Sequence, residues 1–211
     1  MLAPVSTFTL IHADDALLVV DKPSGLLSVP GRGEFYEQHN LASFLQAQWP
    51  DALIVHRLDM GTSGVMVFAR GIESQRRLSL AFEKRRVAKR YEAVVEGVMA
   101  EDSGEVNAAL RVDWFRRPRQ IVDPVEGRPA LTRWRVLARQ AQTTRVALEP
   151  VTGRSHQLRV HLQHIGHPIL GDEFYSPEPL QAPRLLLHAR HLAFAHPASG
   201  EPVAFDSPCP F

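Results

Sequence analysis

The chain has 211 residues, 45% hydrophobic and 22% charged, with a formal net charge of +1; these are ordinary globular values, and the length allows a sizeable core. Cys209 is the only cysteine, which excludes a disulfide framework and a cysteine-ligated zinc site. No apolar run approaches the ~20 residues of a membrane-spanning helix, and the N-terminus MLAPVSTFTLIHADD lacks the basic start and cleavage site of a signal peptide, so a cytoplasmic location with no membrane partner is expected.

Thr7 to His12 and Leu17 to Lys22 read as two strands about the turn Asp14-Asp15. KPSGLLSVPGRG, from Lys22 to Gly33, carries two prolines and three glycines and reads as a shaped loop. Asn40 is placed to cap a helix, LASFLQAQW, that stops at Pro50. Leu53-Ile54-Val55 and the run from Gly64 to Ala69 are short and apolar, the pattern of buried strands. Residues 72–86 read as an amphipathic helix with Ile72, Leu78, Ala81 and Phe82 inward. Ala88 to Gly97 alternates as a strand with Tyr91, Ala93 and Val95 on one face.

Residues 98–130 read as loop, ending at the turn Glu126-Gly127-Arg128-Pro129, and strands are expected at Thr132–Ala138 and Thr144–Leu148. Thr152 is placed to cap the helix GRSHQLRVHLQHI, closed by Gly166. At about 100° per residue its buried stripe is Leu158, Leu162 and Ile165, with Arg159 at the margin. Two late strands, Leu185–His188 and Leu192–Ala195, complete an α+β fold with a largely antiparallel mixed sheet flanked by helices and loops.

The net charge is uninformative, but its distribution is not. Arg70 to Arg90 holds eight basic residues against two acids, and RVDWFRRPRQ (111–120) sets Arg116, Arg117 and Arg119 beside Trp114 and Phe115. Basic groups interleaved with aromatics suit a surface that tracks an RNA backbone and stacks bases. Arginine outnumbers lysine 21 to 3 throughout, so a solvated surface is the competing reading.

Several chemistries can be set aside. No GxGxxG follows a strand, and GxxxxGK[ST] is absent. HRLD has none of the companion motifs of a kinase, and Gly61-Thr62-Ser63 lacks the frame of a serine hydrolase. His156, His161, His164 and His167 cluster without the carboxylate or cysteine that would complete a metal site. What remains is Asp59, within VHRLDMGTSG (55–64), and three polar loops, KPSG, TGRSHQLRVH and GHPILGD. By spacing alone, Arg57 and Asp59 read as an ion pair at a turn.

HRLDMGTSG (56–64), KRYEAVVEG (89–97), EPVTGRSHQLRVHLQHIGHPILGDEFY (149–175) and RLLLHARHLAFAHPASGEP (184–202) together resemble the RluA family of pseudouridine synthases, in the family's order and over most of the chain. DKPSGLLSVPGRG is similar to the short branch of that family, which acts on ribosomal and transfer RNA. The resemblance implies one pseudouridine synthase catalytic domain over 1–211 with a central RNA-binding cleft, no S4-type RNA-binding module, and a monomer that modifies uridines in stem-loops of large-subunit ribosomal RNA and of tRNA. It implies that Asp59 is the catalytic carboxylate, that Tyr91 stacks on the extruded uracil, and that Arg159 pairs with Asp59. It also implies that Arg57 approaches the RNA where the target nucleotide is withdrawn. Arg154, Gln157 and Leu187 are expected at the substrate, as are Arg116, Arg117 and Arg119 from the basic cluster.

The isomerisation breaks the C1′–N1 bond, turns the base and joins C5 to C1′. It is redox-neutral and hydrolyses nothing, so no cofactor or metal is expected. A single ionised carboxylate suffices, either attacking C1′ or removing a C2′ proton. A silent RNA-binding factor on the same scaffold has no need to retain Asp59, Tyr91 and Arg159 together. A small-molecule hydrolase would need a second acid–base group or an oxyanion motif.

Overall fold

The computed structural model describes residues 8–178 and 181–211, in two compact units. Among the described residues, the first is built from 8–89 and 189–210, the second from 90–178 and 181–188 with Phe211. In chain order the elements are β1 (Thr9–Ala13), β2 (Leu17–Lys22), α1 (Glu34–Gln38), α2 (Leu41–Gln48), β3 (Ala52–Ile54), β4 (Ser63–Arg70), α3 (Ile72–Glu83) and β5 (Ala88–Glu96). There follow β6 (Ser103–Asn107), β7 (Leu110–Val112), β8 (Gln120–Val122), β9 (Leu131–Arg139), β10 (Thr143–Pro150), α4 (Gln157–His164), β11 (Leu187–Ala195) and β12 (Pro202–Asp206). The fold class is α+β with mostly antiparallel pairing, as the sequence pattern implies. Thr7, the first residue of the expected N-terminal strand, lies outside the described residues.

In the first unit β2 lies between β1 and β4, and β3 pairs with β4, all antiparallel. Leu17 to Val20 and Val65 to Ala69 are buried along their whole length. Both faces of these strands are covered, which is why their sequences are continuous apolar runs rather than alternating ones. Gly64, the second residue of β4, has φ 118°, and a Cβ there would lie 2.3 Å from the carbonyl oxygen of Ala189, so only glycine fits. Asn40 caps α2 as its position predicts, accepting the Ser43 N–H at 2.9 Å. Its amide nitrogen also donates to the carbonyls of Tyr36 and Glu37 and so closes α1. The sequence reading assigns no element to residues 34–38, which carry no apolar period, and none of them is buried.

In the second unit the antiparallel order is β5-β10-β9-β6, and β7 pairs with β8 as a separate hairpin. Ala93, Val95, Val146 and Leu148 from the strands meet Leu158 and Leu162 of α4, with Ile169, Leu185 and Leu187, in one core cluster.

Five expectations change. Residues 98–130 contain β6, β7 and β8, whose three to five residues are too short and polar to carry a period. Only Leu78 of α3 is buried; Ile72 starts the helix just after Gly71 and is 57% exposed. Thr152 does not cap α4, which begins only at Gln157, because His156 adopts the left-handed conformation at φ 53°. Every residue of α4 from Gln157 to Leu162 is buried, so Arg159 is not marginal but 4% exposed. The late strands form one continuous β11, and β12 pairs antiparallel with it.

Candidate active site

Asp59 sits between β3 and β4, half-buried, and opens a turn closed by the Thr62 N–H to the Asp59 carbonyl at 3.1 Å. The KPSGLLS segment grips both sides of this turn. The Ser28 hydroxyl donates to the Leu58 carbonyl at 2.7 Å and accepts the Leu58 N–H at 3.1 Å. Lys22, the last residue of β2, is 0% exposed, and its Nζ donates to the carbonyls of Pro23, Leu26 and Met60 at 2.8, 2.7 and 3.1 Å. The Gly25 N–H also reaches the Met60 carbonyl, at 2.8 Å, and the Ser24 hydroxyl reaches that of Gly61 at 2.7 Å. The backbone on either side of Asp59 is therefore fixed by buried donors, the pre-organisation a reacting carboxylate needs. Sequence reading missed Lys22, Ser24 and Ser28 as site residues. The available signal was a lysine directly after a fully apolar strand and ahead of Pro-Ser-Gly.

Lys22→Met keeps the stem's volume but takes the ammonium from three carbonyls, of which only that of Met60 keeps a second donor, the Gly25 N–H. At about 1–3 kcal/mol for each buried group left unsatisfied, a loss of roughly 3 kcal/mol or more in urea unfolding is expected, with slower turnover. Unchanged stability would mean that the loop holds itself.

His56 precedes the turn and stacks on Phe82 with ring centroids 4.5 Å apart. Its Nε2 accepts the Val67 N–H at 3.1 Å, so the neutral ring carries its proton on Nδ1. Burial, and then the Lys89 ammonium, push its pKa from 6.5 down to about 3. The unfolded chain therefore binds a proton near pH 6.5 that the native state refuses. The stability this contributes is complete above pH 6.5 and is lost as pH falls toward 3. His56→Gln keeps an acceptor for Val67 without the titration, so its urea midpoint should fall less than that of the wild type between pH 6.5 and 4; parallel curves would exclude His56 as the cause.

Arg57 is exposed and has no ion pair or hydrogen bond among the described residues, so the local pairing of Arg57 with Asp59 is absent. Arg70 is held by Asp51 and by the Asp14 carbonyl, and Arg77 by Glu73 and the Pro197 carbonyl. Arg70 and Arg77 of the basic segment 70–90 are thus occupied within the fold.

In the second unit Tyr91 lies half-buried on β5 opposite Leu148. Arg159 projects from α4 into a buried bidentate pair, its Nε 2.7 Å and its second nitrogen 2.6 Å from the two oxygens of Asp172, whose side chain is 0% exposed. Asp172 also accepts the amides of Phe174 and Tyr175 at 3.0 and 3.2 Å, and the guanidinium lies 5.2 Å from each of their ring centroids. Asp172 was missed in the sequence, although it ends the GHPILGD segment; nothing in the spacing ties it to a helix residue thirteen positions earlier.

Arg154 and Gln157 do come together. Gln157 Oε1 accepts the Arg154 N–H at 3.0 Å and the Thr152 hydroxyl at 2.7 Å, while its Nε2 donates to the Leu131 carbonyl and the Thr132 hydroxyl. Every polar valence of this buried amide is used inside the chain, so Gln157 sets the Thr152–Arg154 loop. Arg154 Nε donates to the Pro129 carbonyl at 3.2 Å. Leu187 is 3% exposed and belongs to the core cluster. Arg116, Arg117 and Arg119 form the tip of the β7–β8 hairpin with Trp114 and Phe115, which are 63% and 99% exposed. The Arg117 guanidinium lies 3.8 Å from the Trp114 ring centroid, and Arg116 pairs with Asp113 at 2.8 Å.

An α+β chain whose first unit clamps one aspartate on a turn, and whose second unit carries a buried arginine and a basic, aromatic hairpin, has the equipment of an enzyme that acts on RNA. The sequence matches the RNA pseudouridylate synthase family over residues 16–164. It is 48% identical over 206 residues to the dual-specificity RNA pseudouridine synthase RluA of Pasteurella multocida, covering 96% of this chain and 93% of that one. The Escherichia coli K12 protein of the same name is 48% identical over 205 residues, with 96% and 93% covered. Among solved structures, human RNA pseudouridylate synthase domain containing 1 superposes with a TM-score of 0.83 at 28% identity, covering all of this chain and 87% of that one. Human RNA pseudouridylate synthase domain containing 4 gives 0.76 at 27%, with 96% and 88% covered. The chain belongs to the RNA pseudouridylate synthase family, and its activity is that of a pseudouridine synthase, an isomerase.

Proposed function

We propose that this enzyme converts uridine to pseudouridine in stem-loops of large-subunit ribosomal RNA and of tRNA, with Asp59 as the catalytic carboxylate. The observation that carries the assignment is the grip of Lys22, Ser24 and Ser28 on the backbone around Asp59. The printed name of the bacterial relatives, dual-specificity, supports two RNA classes. The target nucleotide leaves its stack at a cost of a few kcal/mol; Tyr91 offsets that by stacking on the uracil and Arg57 by entering the vacated space. Arg159 acts as the charge partner of the carboxylate. The two units act as one catalytic domain, in a cytoplasmic monomer. Release of tritium from RNA carrying 5-tritiated uridine tests the reaction directly. Retention of the label in both ribosomal RNA and tRNA substrates would overturn the substrate assignment.

The hairpin tip supplies binding through Arg116, Arg117 and Arg119. Their simultaneous replacement by glutamine is expected to raise KM at least fivefold and to flatten the salt dependence of RNA affinity, because each lost phosphate contact removes one counterion released. An unchanged salt slope would return the tip to the status of solvated surface.

A further inference from the structure

The second unit contains a polar contact that the reaction does not explain. The Tyr175 hydroxyl accepts the backbone N–H of Gln120 at 2.8 Å and lies 2.7 Å from His156 Nδ1. Gln120 is the first residue of β8, the arm that leads out of the basic hairpin tip. His156 is the left-handed residue at the start of α4, three positions before Arg159. The hydroxyl is thus shared between the Gln120 N–H and the His156 imidazole. The ring of the same tyrosine lies beneath the Arg159 guanidinium, and its amide is held by Asp172. Beside this contact is a groove of about 640 Å³, bordered by Arg119, Gln120, Gln163, His164 and Phe174. The hairpin arm is thus incompletely packed against α4 there, and the hydroxyl straps it to the helix.

We infer that Tyr175 is a positioning residue for Arg159, fixing the guanidinium and the hairpin arm in one geometry. The inference rests on the proposed role of Arg159. The hydroxyl is not needed to fill space: the ring already packs against Leu110, Ala130 and Val160. Its removal frees the Gln120 N–H and His156 Nδ1 while leaving the cation–π contact and the Asp172 bond in place.

The test is Tyr175→Phe in the full chain, assayed on a stem-loop RNA under saturating and subsaturating conditions. The expected result is a tenfold or greater fall in kcat, with KM within twofold, an unaltered salt slope of binding, and a Tm within a few degrees of wild type. Hydrogen exchange at the Gln120 amide should accelerate at least tenfold. A wild-type kcat overturns the inference, as does a KM increase at constant kcat, which would place Tyr175 in binding. A large fall in Tm with parallel loss of every parameter also overturns it, by reducing Tyr175 to a structural part. Arg159→Lys assayed alongside separates the two levels: full activity there removes the reading on which the inference rests, whereas an inactive Arg159→Lys beside an active Tyr175→Phe removes the inference alone.

Discussion

Asp59→Asn is expected to abolish pseudouridine formation while RNA affinity stays within a few-fold of wild type. The substitution is nearly isosteric, and the grip on the turn runs through the backbone of Leu58, Met60 and Gly61, so the loop should keep its shape. What disappears is the negative charge that either attacks C1′ or takes the C2′ proton. Residual tritium release above about one per cent of wild type corresponds to a barrier change below roughly 2.7 kcal/mol, too small for the group that does the covalent or proton-transfer step. That outcome would sink the assignment of Asp59. A lost affinity together with lost turnover would instead show that the loop itself had collapsed.

Arg159→Leu should be inactive and also less stable, by about 3–5 kcal/mol, because it strands the fully buried carboxylate of Asp172. Stability and chemistry can be separated at this position. In the double variant Arg159→Leu, Asp172→Asn, the asparagine oxygen still accepts the amides of Phe174 and Tyr175 but carries no charge to strand. More than half of the lost stability should therefore return, measured by urea unfolding, while turnover stays absent. Recovery of turnover in the double variant would make Arg159 a structural residue only.

The sequence by itself determined the strands β2 and β4, the Asn40 cap and the α+β class, because buried runs and capping residues are local signals that survive without tertiary context. It also placed Asp59 between two strands and pointed to the family, through motifs spread along the chain. It did not determine what holds Asp59 in place. Lys22 is a charged residue that a sequence reading leaves in solvent, and it is buried only because carbonyls from Pro23, Leu26 and the distant Met60 converge on it. The hairpin β7–β8 was invisible for the opposite reason: its arms of three residues each are too short to show a period. Tertiary structure also decided the state of Arg159. A helical period of 3.6 residues gives one buried stripe, but α4 is covered on more than one side, and the carboxylate that accepts the arginine comes from the connection beyond the helix. The partner of a buried charge is chosen by where the chain returns in space, and no spacing along the sequence carries that information.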